Sequence, residues 1–181
     1  MEKARDVFVF CCFTGFDYST TASLTEQNLV LADDGSIWIE THRVKTGVAS
    51  KVKLLDIPLS ILKKYESTRI NGYLLPVLSN AKYNLYLKEI ATTLGIQKRV
   101  TSHLARHTFA TTVTYANGVS IESISKMLGH TKLATTQIYA RIVDQTVSRE
   151  MDKLSAALSG TSFSLNGENE AADPSTQEIA N

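Results

Sequence analysis

His103-Leu-Ala-Arg-His-Thr-Phe-Ala-Thr111, followed by Leu128-Gly129-His130 and then by Tyr139, is the stretch on which the reading of this chain turns. If the first segment is helical, His103 and Arg106 share a face because they are three apart, and His107 stands one turn beyond His103. A His-x-x-x-His pair can bind zinc, but the zinc-protease version needs glutamate directly after the first histidine. Leu104 holds that place here, and Arg106 brings positive charge where a metal would sit. No metal site is expected. Taken alone, the cluster also reads as helix-surface residues with one packed histidine.

Outward from this stretch the pattern is helical almost from Pro58 to the end, and proline suits the first turn of a helix. The spacing predicts helices over 58–69, 80–94, 103–117, 120–128, 131–141 and 145–158. Gly95, Gly118 and Gly129 stand at three successive stops, where a left-handed residue ends a helix. Before Pro58 the period changes. An apolar helix over 3–13 breaks at Gly15, and a short helical piece runs from Tyr18 to Leu24. Ile37, Trp38, Ile39 and Thr41 form a β-prone run, a turn follows at Gly47, and residues 51–58 alternate as a return strand with Val52, Leu54 and Asp56 on one side. Residues 28–32 supply a third strand. The expected fold is mainly α with a small antiparallel β-sheet, α+β, without internal repeats.

The chain has 181 residues, 43% apolar and 20% charged, enough for one globular domain with a core. That domain is expected over 1–159. From about Gly160 the sequence turns to Ser, Asn, Gly, Glu and Ala without period, so 160–181 reads as a disordered acidic tail. All Lys and Arg lie before residue 161, where 19 cations face 14 acids, giving +5. A mildly basic body is compatible with a polyanionic partner and equally with an ordinary solvated surface. The longest apolar stretches, such as Val7 to Phe13, fall short of a bilayer span, and no leader pattern opens the chain, so it reads as soluble and cytoplasmic without a membrane partner. The two cysteines, Cys11 and Cys12, are neighbours that cannot easily bond each other or share a tetrahedral metal.

The His103-x-x-Arg106 box with its Arg-His-Thr-Phe-Ala context, a histidine after Leu128-Gly129, and Tyr139 on the following helix stand in one order and spacing. In these features the chain resembles the catalytic domain of the tyrosine recombinases, the phage-integrase family, over about residues 5–158. The resemblance implies a site-specific DNA recombinase of a mobile element or phage, which cleaves and rejoins double-stranded DNA through a 3′-phosphotyrosine. It implies no cofactor, a homo-oligomeric partner set (a synaptic tetramer on DNA), a bacterial, nucleoid-associated setting, and a separate DNA-binding domain ahead of this one that this chain lacks. Val147, Met151, Leu154 and Leu158 make an apolar stripe on the last expected helix, which either packs on its own domain or, by the resemblance, docks on a neighbouring protomer.

The chemistry asks for these residue types. A phosphodiester under attack gathers negative charge on its non-bridging oxygens, and without a metal the side-chain cations must stabilise it. Arg106 suits this through its planar donors. His103 and His130 are candidates to donate to the phosphate or to manage the tyrosine proton, and Tyr139 is the candidate nucleophile. In the family a hairpin lysine protonates the leaving 5′ oxygen, and Lys45, in Arg43-Val-Lys-Thr-Gly47, matches it. One departure stands against these matches. Where the family has a pattern like Thr-Gly-Leu-Arg-x-Ser-Glu-Leu, this chain reads Thr14-Gly15-Phe16-Asp17-Tyr18-Ser19-Thr20, with Asp17 at the place of the second arginine clamp. Either Asp17 turns away to hold another residue, or the site is impaired and the chain is a DNA-binding protein of the same fold without catalysis. Arg43 is a possible replacement clamp, because positions i and i+2 of an extended strand would put it on the face of Lys45.

Overall fold

Alternation along Ile37–His42 (β2) sends Ile39 inward and its neighbours outward, and both flanking strands pair with it in matching register. Leu29–Leu31 (β1) and Ala49–Lys53 (β3) complete an antiparallel sheet of order β1-β2-β3, with Ile39 opposite Leu29 on one side and Val52 on the other. Ile39 and Val52 are fully buried, while Glu40 on the other face pairs with Lys51, whose ammonium lies 5.1 Å from the Trp38 ring centre.

In this computed structural model, residues 1–140 and 151–156 are described. They fall in two units, Met1–Thr146 and Val147–Asn181. In the first, helix Glu2–Thr14 (α1) ends at Gly15 and is followed by Tyr18–Ser23 (α2). After the sheet come Asp56–Tyr65 (α3), Asn80–Thr93 (α4), Ser102–Thr108 (α5), Ile121–Met127 (α6) and Ala134–Ala140 (α7). Helix α1 packs against α3, α4 and α5, and β3 against α6, with Phe10, Phe16, Leu74, Tyr83 and Ile124 in the core. Asp6 of α1 is buried yet satisfied: Tyr65 donates to it at 2.8 Å, and Arg5 and Lys64 pair with it. In the second unit, residues 151–156 are helical. The rest of the expected helix 145–158, with Val147 and Leu158, and the whole of 160–181 lie outside the described residues.

The fold is mainly helical with one small antiparallel sheet. Gly95, Gly118 and Gly129 have φ of +66°, +82° and +61° at their helix stops. Four local expectations need correction. The return strand stops at Lys53, and Asp56 opens α3 instead of continuing the strand, which leaves Pro58 inside the first helical turn. That helix closes at Tyr65 into a 3-10 turn, Glu66–Thr68. The expected helix 103–117 changes type at Phe109, where a π-helical turn, Phe109–Thr114, precedes a 3-10 turn, Tyr115–Asn117. The last helix of the first unit starts at Ala134 rather than residue 131.

The π turn has an identifiable cause on each side. Thr114 Oγ1 donates to the Phe109 carbonyl, five residues back, and to that of Ala110. Phe109 packs closely against Gly15, where a Cβ would come within 2.4 Å of its Cδ1. The left-handed Gly15, at φ +72°, therefore both ends α1 and leaves room for the Phe109 ring at the start of the wide turn.

Candidate functional site

Arg106 is 2% exposed, and the fold surrounds it with backbone acceptors. Its Nη1 donates to the Gly15 carbonyl at 2.7 Å and its Nη2 to the Leu128 carbonyl. These carbonyls belong to the ends of α1 and α6, where helical partners have run out. One guanidinium thus ties α1, α5 and α6 together. Burial and the neighbouring Arg43 charge push its pKa down to about 10, so it stays charged near neutrality.

The β2–β3 hairpin docks on the same spot. Thr46 Oγ1 donates to the Gly129 carbonyl at 3.2 Å, and Ser50 Oγ donates to the Met127 carbonyl. Gly129 admits this approach: a Cβ there would lie 3.2 Å from Arg43 Cβ and 3.3 Å from the Val48 carbonyl. The hairpin tip is a turn, not an extended run. Both Thr46 and Gly47 donate their N–H groups to the Arg43 carbonyl, at 3.1 and 2.8 Å. The shared-face rule that linked Arg43 to Lys45 therefore does not apply. Arg43 comes to the site from the end of β2, whereas Lys45 sits exposed in the turn, with its charge felt at His103.

Asp17 caps α2, accepting the Thr20 N–H on Oδ1 at 3.0 Å, and turns Oδ2 to Arg43 Nε at 3.2 Å. Burial acts to raise its pKa, but the hydrogen bonds from Thr20 and Arg43 and the Arg106 charge outweigh it and hold the carboxyl below the usual range. The pairing is side-on. It takes Nε and leaves the two terminal nitrogens of Arg43 with no hydrogen-bond partner among the described residues. The positive charge of Arg43 is felt at Arg106, His103, His130 and Tyr139.

Tyr139, 3% exposed, lies on α7 with its ring edge-on to His107 at 5.3 Å between centroids, and His107 meets His103 in the same way at 4.6 Å. Burial pushes the Tyr139 hydroxyl above its ordinary range, and Arg106 and Arg43 pull against that shift. His130 sits partly buried between α6 and α7, with Nδ1 2.7 Å from Thr136 Oγ1. Desolvation and then the Arg106 and Arg43 charges push its pKa down to about 4, so it is neutral at pH 7. His103, at the exposed rim, is also lowered, first by partial burial and then by His107, Arg106, Lys45 and Arg43.

Arg43, Arg106, His103, His130 and Tyr139 thus share one electrostatic neighbourhood, with Lys45 at its edge. His107, placed by the sequence one turn beyond His103 but given no role in the site, lies between His103 and Tyr139, and Thr136, three before Tyr139, is a neighbour that the sequence reading missed although helical spacing marks it. Among the described residues no group of three or more His, Cys, Asp or Glu could hold a metal ion, and no helix is long and apolar enough to cross a membrane.

The residues that build this neighbourhood fall inside a match to the family model for the phage integrase family, which covers residues 2–146, and the chain belongs to that family. A tyrosine recombinase of Thermosipho africanus is 34% identical over 125 residues, 62% of this chain and 42% of that protein. Tyrosine recombinase XerA of Thermococcus onnurineus is 34% identical over 123 residues, 61% and 43% of the two chains. The chain therefore spans about two-fifths of the length of these relatives. The crystal structure of XerA recombinase superposes with a TM-score of 0.63 at 25% identity, covering 85% of this chain and 63% of that one. The catalytic domain of bacteriophage HP1 integrase shares the fold at TM-score 0.59 and 19% identity, over 84% of this chain and 82% of that domain.

Proposed function

We propose that this chain is the catalytic part of a site-specific DNA recombinase, in which Tyr139 attacks a phosphodiester to form a 3′-phosphotyrosine and release a 5′ hydroxyl. The broken bond's energy is kept in the phosphotyrosine, and a second DNA end attacks to reseal the strand. The observation that carries this reading is the burial of Tyr139 beside two fixed cations, Arg106 and Arg43, whose charges both favour its phenolate. The same cations suit a phosphate that gathers charge as it is attacked.

Arg106 is the first clamp. Arg43, whose terminal nitrogens have no hydrogen-bond partner among the described residues, is the second, in place of the arginine that Asp17 replaces. A bare carboxylate would repel a phosphate, but Asp17 is neutralised by the arginine it holds. This geometry favours an active site over the impaired alternative. His130 and His103, neutral at pH 7, are left to donate to the phosphate or to take the tyrosine proton. Lys45 protonates the leaving oxygen from the hairpin turn. The substrate is double-stranded DNA, on which protomers assemble as a synaptic tetramer.

The test is a covalent trap on a pool of nicked duplexes of randomised sequence, read as a DNA adduct on a denaturing gel. Tyr139→Phe keeps the packing against His107 and removes only the attacking oxygen, so the adduct should vanish while non-covalent binding stays within a few-fold. An adduct persisting in that variant refutes the assignment, and no adduct from the unaltered chain favours the DNA-binding alternative.

A further inference from the structure

Thr136 has no exposed surface and lies one turn before Tyr139 on α7, so its side chain leaves the same helix face as the nucleophile. Among the described residues its hydroxyl has one hydrogen-bond partner, Nδ1 of His130 at 2.7 Å. A threonine inside a helix commonly turns its hydroxyl back to the carbonyl four residues earlier, as Thr92 does to Lys88 and Thr111 to His107. Thr136, in the first turn of α7, makes no such bond.

A neutral imidazole has one N–H and one acceptor nitrogen, and the partner of one nitrogen decides which is which. Were Nδ1 to carry the proton, it would donate to Oγ1, and the Thr136 hydroxyl hydrogen would be left buried without an acceptor. Burying a donor without a partner is unfavourable, because it loses its bond to water and gains none. With the hydroxyl donating to Nδ1, the buried Thr136 proton is used. The proton of His130 then sits on Nε2.

We infer that Thr136 is a positioning residue: its hydroxyl holds His130 in the Nε2–H tautomer, so that a neutral histidine offers a hydrogen-bond donor to the scissile phosphate. The inference rests on the reading above that His130 serves the phosphate. Its mechanical content is that the nucleophile and the donor are set by one rigid element. A shift of α7 that moves Tyr139 also moves the group that orients His130, which couples delivery of the nucleophile to readiness of the donor.

The experiment needs no DNA for its first arm. Ring 15N shifts of His130, in the full chain at pH 7, report the tautomer directly. The unaltered chain and Thr136→Ser should show a protonated Nε2, and Thr136→Val, which keeps shape and loses the hydroxyl, should shift to a mixture with Nδ1–H. A protonated Nδ1 in the unaltered chain overturns the inference, and so does an unchanged Nε2–H population in Thr136→Val. In the second arm, adduct formation on the nicked-duplex pool should fall about tenfold for Thr136→Val and stay within threefold for Thr136→Ser. If His130→Ala slows adduct formation and Thr136→Val does not, the positioning role fails while the reading of His130 stands. If His130→Ala itself forms adduct at the unaltered rate, the reading of His130 fails instead.

Discussion

Removing the Asp17 carboxylate should have opposite effects depending on whether Arg43 is present. At a separation of 3.2 Å and an effective dielectric near 20, the Asp17–Arg43 attraction is about 5 kcal/mol before desolvation is subtracted. That is ample to keep the carboxylate from acting on a phosphate as a free charge. Arg43→Ala removes a charge-assisted donor and at the same time strips Asp17 of its partner. Loss of one such donor in a preorganised site typically slows the chemical step 10²–10³-fold, about 3–4 kcal/mol. Asp17→Asn in the unaltered chain keeps an oxygen to cap Thr20 but releases Arg43, and should slow cleavage roughly tenfold. In the Arg43→Ala background the same substitution removes an unpaired negative charge near the phosphate and should speed cleavage by a similar factor. The coupling implied is about 3 kcal/mol, at the upper end for side chains in contact.

The measurement is single-turnover cleavage at saturating DNA, on a sequence recovered from the nicked pool, so that binding losses are hidden. Arg43→Lys should recover little, because an ammonium has no terminal fork to spare once it meets Asp17. If instead the two substitutions add, or Arg43→Ala cleaves at near the unaltered rate, Arg43 is not the second clamp. The remaining reading is a plain backbone contact, whose loss lowers the salt dependence of affinity by about one unit and spares the chemistry.

Three further outcomes follow from the same geometry. Arg106→Lys reaches at most one of the Gly15 and Leu128 carbonyls, so it should destabilise the fold by about 2–4 kcal/mol as well as slowing cleavage, and a lowered urea midpoint reads the first loss independently of DNA. The folded-state pKa of His130 is depressed, so the unfolded chain binds a proton that the folded one refuses, and stability should be full above about pH 6.5 and decline as pH falls toward 4; His130→Gln should flatten that slope in urea titrations, and an equal slope in both proteins would refute it. Gly15→Ala combines a left-handed backbone with clashes at 2.4 Å on Phe109 and 2.8 Å on Leu128 and should cost about 2–5 kcal/mol, of which Phe109→Leu recovers only the part due to the ring; full recovery would mean that the backbone carries no strain.

Most of the fold could be read from local pattern, because the sheet and helices obey it. Ile39 and Val52 alternate with polar neighbours, and left-handed glycines close the helices, so strand and helix order followed directly. The π turn was not legible: Phe109-Ala-Thr-Thr-Val-Thr is an ordinary helical run in composition, and its first residue packs on a glycine more than ninety positions earlier in the chain, a contact that local pattern does not show. The candidate cluster 103–139 is legible through the motifs it shares with the phage-integrase family, and Arg43 through its place two residues before Lys45. A shared strand face is not what brings Arg43 to the site. Gly47 turns the chain back onto the Arg43 carbonyl, so the link runs through Asp17 and Gly129, contacts with no signature at sequence level. The gripping of Arg106 by two carbonyls was equally silent, since every residue carries one.

That grip changes how mutational decay in such domains would be ordered. A side chain that serves chemistry alone can be lost and leave the architecture intact; in the proposed role Tyr139 is close to that condition, because phenylalanine fills its space. Arg106 is not. Its guanidinium closes two helix ends that otherwise hold buried, unanswered carbonyls, so a descendant that abandoned strand cleavage would still be under pressure to keep it. Persistence of that arginine in a related chain therefore testifies to the architecture, and under the proposed function the tyrosine is the residue whose retention testifies to cleavage.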